Sequence, residues 1–100
     1  MKRARFLAVA RLEYLAEVAY YSEAEVDLGA RFAEAVEEAT SRALGFPLAG
    51  SPASAGTRRV LLRDFPFSLV YLAEESGIIV VALAPDARRP GYWRSRLRAR

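Results

Sequence analysis

One hundred residues, 53% of them hydrophobic, suffice for one core and are too few for two, so residues 1–100 are read as one domain. Cysteine and histidine are both absent, which excludes disulfides, thiol catalysis, Cys/His zinc sites and imidazole acid–base chemistry. The net charge is only +3, yet residues 1–57 carry six basic and eight acidic side chains and residues 58–100 nine and four, so the basic half suggests an anionic partner on one face.

The N-terminus is basic and then apolar, but the apolar part spans only the five residues Phe6 to Ala10 before Arg11. That is too short for a signal peptide or a membrane span and predicts a soluble, cytoplasmic protein. Residues 4–9 read as a first strand, Phe6 to Val9 being apolar and compatible with an extended chain. Leu12, Leu15, Ala16, Ala19 and Tyr20 then recur at helical spacing, placing an apolar stripe on one face of a first helix with Arg11, Glu13 and Glu17 outside it.

Ser22 followed by Glu25 has the spacing of a capping box, so a second helix is expected to start there or nearer Leu28. Its stripe is Leu28, Phe32, Ala35, Val36, Ala39 and Ala43, and Gly45 with Pro47 ends it. Glu34, Glu37 and Glu38 sit opposite that stripe and read as a solvated face rather than a metal site. Residues 45–57, with three glycines and two prolines, form a loop.

Three strands are expected next, at Arg58–Arg63, Phe67–Leu72 and Ile78–Leu83, with Glu74-Glu75-Ser76-Gly77 as the turn of the last hairpin. The last strand lacks polar alternation, which predicts a central position flanked on both edges. Arg59 and Arg63 are four apart and are expected to share a face with Leu61, with Arg58 turned the other way. Ser68 has no base near it in sequence, which argues against nucleophilic catalysis.

Six of the last thirteen residues are arginine, beginning Arg88-Arg89-Pro90-Gly91-Tyr92-Trp93-Arg94-Ser95-Arg96 directly after the most apolar run. Pro90 suits the first turn of a short terminal helix over Gly91 to Leu97. Arginine beside tyrosine and tryptophan suits phosphate and base contact. Arg88, Arg89, Arg94 and Arg96 are read as an anion-binding surface, with a solvated helix face as the alternative. Trp93 is read as a packing anchor on the sheet, Tyr92 as the exposed aromatic, and Arg98 and Arg100 as frayed tail.

The resulting class is α+β, in the order β-α-α-β-β-β with a helical tail: a helix hairpin packed on a small, mostly antiparallel sheet. That order, together with Tyr20-Tyr21, Leu28-Gly29 before Arg31-Phe32, Phe65-Pro66-Phe67-Ser68-Leu69-Val70-Tyr71 and the Arg88-Arg89-Pro90-Gly91-Tyr92-Trp93 ending, resembles the RelE/ParE superfamily of type II toxin–antitoxin toxins. The resemblance covers nearly the whole chain.

It implies a small bacterial toxin of the plasmid-stabilisation type, arresting growth when freed from a cognate antitoxin with which it forms a hetero-oligomer. ParE-like members poison DNA gyrase; RelE-like members cleave mRNA on the ribosome. The nuclease members place basic residues at alternating positions of the second strand and an arginine before Leu-Val-Tyr of the third. Arg59 matches the first position, but Leu61 and Ser68 stand at the others.

The resemblance therefore favours a ParE-like inhibitor with Arg88, Arg89, Tyr92, Arg94 and Arg96 as the target-binding set. The alternative is a nuclease with a degenerate set drawn from Arg59, Arg63, Arg88, Arg89 and Tyr92, or a decayed toxin that only binds its antitoxin. No metal, cofactor or membrane is called for in any of these readings. Many relatives carry a histidine before the double arginine; Ala84-Pro85-Asp86-Ala87 stands there instead. Val26, Tyr21 and Phe46 are candidate antitoxin contacts.

Overall fold

The computed structural model describes residues 1–98, so Arg100 lies outside the described residues. In chain order the elements are β1 (Arg3–Phe6), α1 (Ala8–Ala24), α2 (Val26–Gly45), β2 (Ser51–Pro52), β3 (Arg58–Leu61), β4 (Phe67–Glu74), β5 (Gly77–Pro85) and α3 (Arg94–Arg98). The strands form one sheet in the order β1-β5-β4-β3-β2, with β1 parallel to β5 and the other pairs antiparallel. The expected α+β arrangement is present, with the short edge strand β2 added inside the predicted loop.

β5 is apolar on both faces and lies inside the sheet, flanked by β1 and β4 with β4 in the middle, and each face has its own cover. Phe67, Leu69 and Tyr71 of β4 and Ile78, Val80 and Leu83 of β5 pack under the helix hairpin with Phe32, Val36 and Ala39. Val70, Val81, Ala82 and Ala84 form a second cluster with Trp93 on the opposite face. A bulge makes this division possible: Tyr71 pairs with Val80 but Val70 pairs with Ala82, so Val81 is an extra residue. It shifts the alternation by one and turns both Val81 and Ala82 toward the second face.

Four local expectations are corrected. The first strand stops at Phe6 instead of running to Val9: Leu7 N–H donates to Val80 O at 2.9 Å, and α1 begins at Ala8. A short apolar run fits strand and helix equally, so periodicity could not choose between them. Ser22 does not start a helix either, since it lies within α1; the break falls at Glu25, whose extended backbone separates the helices without a side-chain cap. The terminal helix starts at Arg94 instead of Gly91, because residues 90–93 form turns around Gly91, whose φ is +80°.

The fourth correction concerns which side of α1 is inside. The buried side runs through Ala10, Tyr14, Val18 and Tyr21, whereas Leu12, Leu15 and Tyr20 of the expected inner stripe are 66%, 49% and 64% exposed, and Ala16 and Ala19 are exposed too. α1 is apolar on two sides, and aromatic packing decides between them. Tyr14 stacks on Phe6 with centroids 6.0 Å apart, and Tyr21 sits 5.0 Å from Phe32 and 5.1 Å from Phe65. Such pairs add to the area they bury, so the aromatic side wins over the Leu/Ala side.

The α2 stripe is as expected, with Phe32, Val36, Ala39 and Ala43 essentially inaccessible. Gly29 lets α2 approach α1 closely: a Cβ there would overlap the Ser22 hydroxyl. Among the described residues no helix is long and apolar enough to cross a membrane.

Candidate functional site

The site grows out of how the second face of the sheet is covered. β1 reaches only as far as Val80 on β5, so the β5 backbone beyond it has no strand on that side. Unpaired backbone groups at a covered sheet edge are costly, and side chains meet the need. Glu13 of α1 accepts from Leu83 N at 3.1 Å through Oε1, and Arg96 of α3 donates to Val81 O at 3.0 Å. The two side chains also join each other, at 2.9 Å and 2.7 Å, in a two-pronged ion pair that is only 16% and 19% exposed.

Tyr92 completes this knot. Its hydroxyl donates to Glu13 Oε2 at 3.1 Å, and its ring lies 3.9 Å beneath the Arg88 guanidinium and 5.2 Å from that of Arg96. Burial, followed by the adjacent Glu13 carboxylate, pushes the phenol up to about 12. The hydrogen bonds that Arg96 donates to Glu13 likewise raise the guanidinium above its ordinary range. Neither group is poised to exchange a proton near neutrality.

Trp93 fills the space left by Ala82 and Ala84 and is 5% exposed, as a packing anchor would be. Its Nε1 is buried and makes no hydrogen bond among the described residues. Beside it lies a cleft of about 60 Å³ lined by Arg59, Ser68, Asp86, Arg88, Tyr92 and Trp93. Ser68 is 2% exposed, and its hydroxyl makes a long contact, 3.4 Å, to Asp86 Oδ1.

The arginines therefore divide. All of Arg59, Arg88, Arg89 and Arg94 are exposed, but Arg59 and Arg88 line the cleft, whereas Arg89 and Arg94 rim a broad hollow of about 550 Å³ together with Arg98, which lies in the last turn of α3. Arg96 is half-buried in the knot. Arg63 stands apart: β3 ends at Leu61, and Arg63 turns to the helix side, with Nε 3.7 Å from Glu38 Oε1. Glu38 is bound by Arg42 at 2.6 Å, which holds its carboxyl below the usual range, with Arg63 adding to the effect. Arg59 and Arg63 thus do not share a face; Arg59 shares it with the exposed Leu61, and Arg58 turns away to donate to Gly50 O at 2.9 Å.

Glu13 is the residue that sequence reasoning missed. As a lone acid on the polar side of an amphipathic helix it looks solvated, and its partners are at least 70 positions away. Of the candidate antitoxin contacts, Val26 and Phe46 are 85% and 72% exposed, whereas Tyr21 is taken up by the aromatic core.

No family model and no curated protein matches the chain in sequence. Among solved structures, a chain of the chromosomal ParDE TA system from P. aeruginosa superposes with a TM-score of 0.73 at 17% identity, over 85% of this chain and 96% of that one. The two share one fold. In this chain the segment that carries Tyr92, Trp93 and Leu97 covers the second face of that sheet.

Proposed function

We propose that this chain is the toxin of a type II toxin–antitoxin pair and that it is ParE-like: it inhibits DNA gyrase by binding and is neutralised in the cytoplasm by a cognate antitoxin. The observation that favours an inhibitor over a nuclease is the dispersal of the groups a metal-free nuclease needs. Cleavage through an RNA 2′-hydroxyl requires cations clustered on one phosphate and a group able to move a proton. Arg63 is on the helix side, Arg89 lies at the outer hollow and not at the cleft that Arg59 and Arg88 line, and the Tyr92 phenol is held protonated up to about 12; Arg96 of the target-binding set is taken up by Glu13.

What is left on the outside is a binding surface. Arg88, Arg89 and Arg94 are exposed on a frame fixed by Trp93 and by the Glu13 knot, and guanidinium groups suit acidic protein or phosphate contacts. The meeting of Arg59 and Arg88 beside Tyr92 supports the second reading, a RelE-like mRNA endonuclease with a reduced cation set.

The test is induction of the isolated chain in bacteria, with DNA supercoiling, double-strand breaks and mRNA cleavage at ribosomal A-sites followed together. Breaks and altered supercoiling without cleaved messages are expected. Cleaved messages with unchanged supercoiling would overturn the gyrase reading in favour of the nuclease, and normal growth would mean a decayed toxin.

A further inference from the structure

The outer side of α1 is the largest departure from an ordinary surface. Ala8, Leu12, Leu15 and Ala19 lie on it in a 4-3-4 spacing, which is the seam of a coiled coil, and all four are exposed. Val9 and Ala16 widen the strip, also exposed, and the first charges beside it are Arg11 and Glu23. A helix in this position normally turns a polar face to water. Nothing among the described residues covers the strip.

The order of side chains identifies what fits. Ala-Leu-Leu-Ala in a 4-3-4 spacing reads the same in both directions, so a two-fold axis between Leu12 and Leu15 sets Leu12 against Leu15 of a second copy and Ala8 against Ala19. A two-fold interface must use one self-complementary patch on both copies, and this strip has that property. The alanines at its ends would let the helices approach to about 8 Å. An unrelated partner has no need of the palindrome.

We infer that the outer face of α1 is a homodimer interface, in which two copies pair their α1 helices antiparallel about Leu12 and Leu15. The 17 residues of α1 span about 25 Å, so one helix pair buries less than a standard interface of roughly 1,600 Å². The dimer is therefore expected to be weak and to form only at high protein concentration. This inference is independent of the toxin reading, since it rests on the helix surface alone.

Sedimentation equilibrium of the full chain from about 10 to about 1,000 µM is expected to show a mass rising from 11.1 kDa toward twice that value. Leu12→Glu and Leu15→Glu, both at exposed positions, should remain monomeric over that range with unchanged circular dichroism. Because the chain has no cysteine, oxidative cross-linking reads the register cleanly. Ala8→Cys combined with Ala19→Cys should give a covalent dimer, and Ala8→Cys alone should not. A chain that stays monomeric at the highest concentration overturns the interface, as would an oligomer that Leu12→Glu and Leu15→Glu leave intact. Efficient cross-linking by Ala8→Cys alone would overturn the antiparallel pairing.

Discussion

The two faces of the sheet are held by different physics. Under the helix hairpin, Tyr21, Phe32, Phe65 and Phe67 form a continuous aromatic cluster, with Phe32 fully buried and ring centroids 5.0–6.4 Å apart. On the other face the apolar contribution is small residues around one tryptophan, and the covering segment is tied down by an ion pair, a phenol and two backbone bonds. Burial without direction secures the first face; directed polar bonds secure the second. A short tail cannot bury enough area to stay in place by the hydrophobic effect alone, so it adds specific partners, and these hold its exposed arginines at fixed positions.

The sharpest break is expected on the helix side. Phe32→Ala should cost about 4 kcal/mol, the range for truncating a buried phenylalanine, and lower the melting temperature by roughly 20 °C. Loss of all near-ultraviolet signal in one transition would accompany it. On the tail side, Glu13→Ala should cost about 3 kcal/mol, because it leaves Arg96 buried without its partner.

That loss should be local in character, with faster proteolysis after residue 86 and altered Trp93 fluorescence before global unfolding. Adding Arg96→Ala to Glu13→Ala should cost less than the two single changes together. Simple additivity would mean that the pair is not coupled.

Gly29→Ala tests the hairpin contact itself. The new methyl group meets Ser22, so a destabilisation of about 2 kcal/mol is expected in chemical denaturation, and Ser22→Gly should restore part of it.

A smaller effect separates the faces by pH. Tyr92 is held protonated up to about 12 in the folded chain against an ordinary value of 10.0. Its stabilising contribution is thus complete below pH 10 and lost as pH rises from 10 to about 12. Comparing wild type with Tyr92→Phe in alkaline unfolding isolates that contribution; identical profiles would remove Tyr92 from the knot.

The smallest stability change is expected for Arg88→Ala with Arg89→Ala, within about 1 kcal/mol, since both side chains are exposed and only the stack of Arg88 on Tyr92 is lost. Growth arrest on induction should nevertheless fall. Unchanged arrest by a soluble double mutant would exclude this part of the tail as the target surface.

The candidate site was only partly legible in the chain. Trp93 as an anchor and Arg88 and Arg89 as exposed cations follow from local composition, because an aromatic after a buried strand and paired arginines have few alternatives. The roles of Arg96, Tyr92 and Arg63 did not, since each depends on a partner that sequence distance hides: Glu13 for the first two and Glu38 for the third. Spacing placed Arg63 beside Arg59 only on the premise that β3 continues to residue 63, and it ends at Leu61.

By itself the sequence determined the order of the elements other than β2, the α2 stripe, the flanked place of β5 and the absence of histidine and thiol chemistry, because these depend on periodicity, turn residues and composition. Only the tertiary structure decided which side of α1 faces inward, where β1 stops and which arginines stay free. In each case two local solutions are nearly equal in the chain. Long-range partners break the tie: the aromatic cluster for α1, and Glu13 with Arg96 for the β5 edge that β1 leaves open.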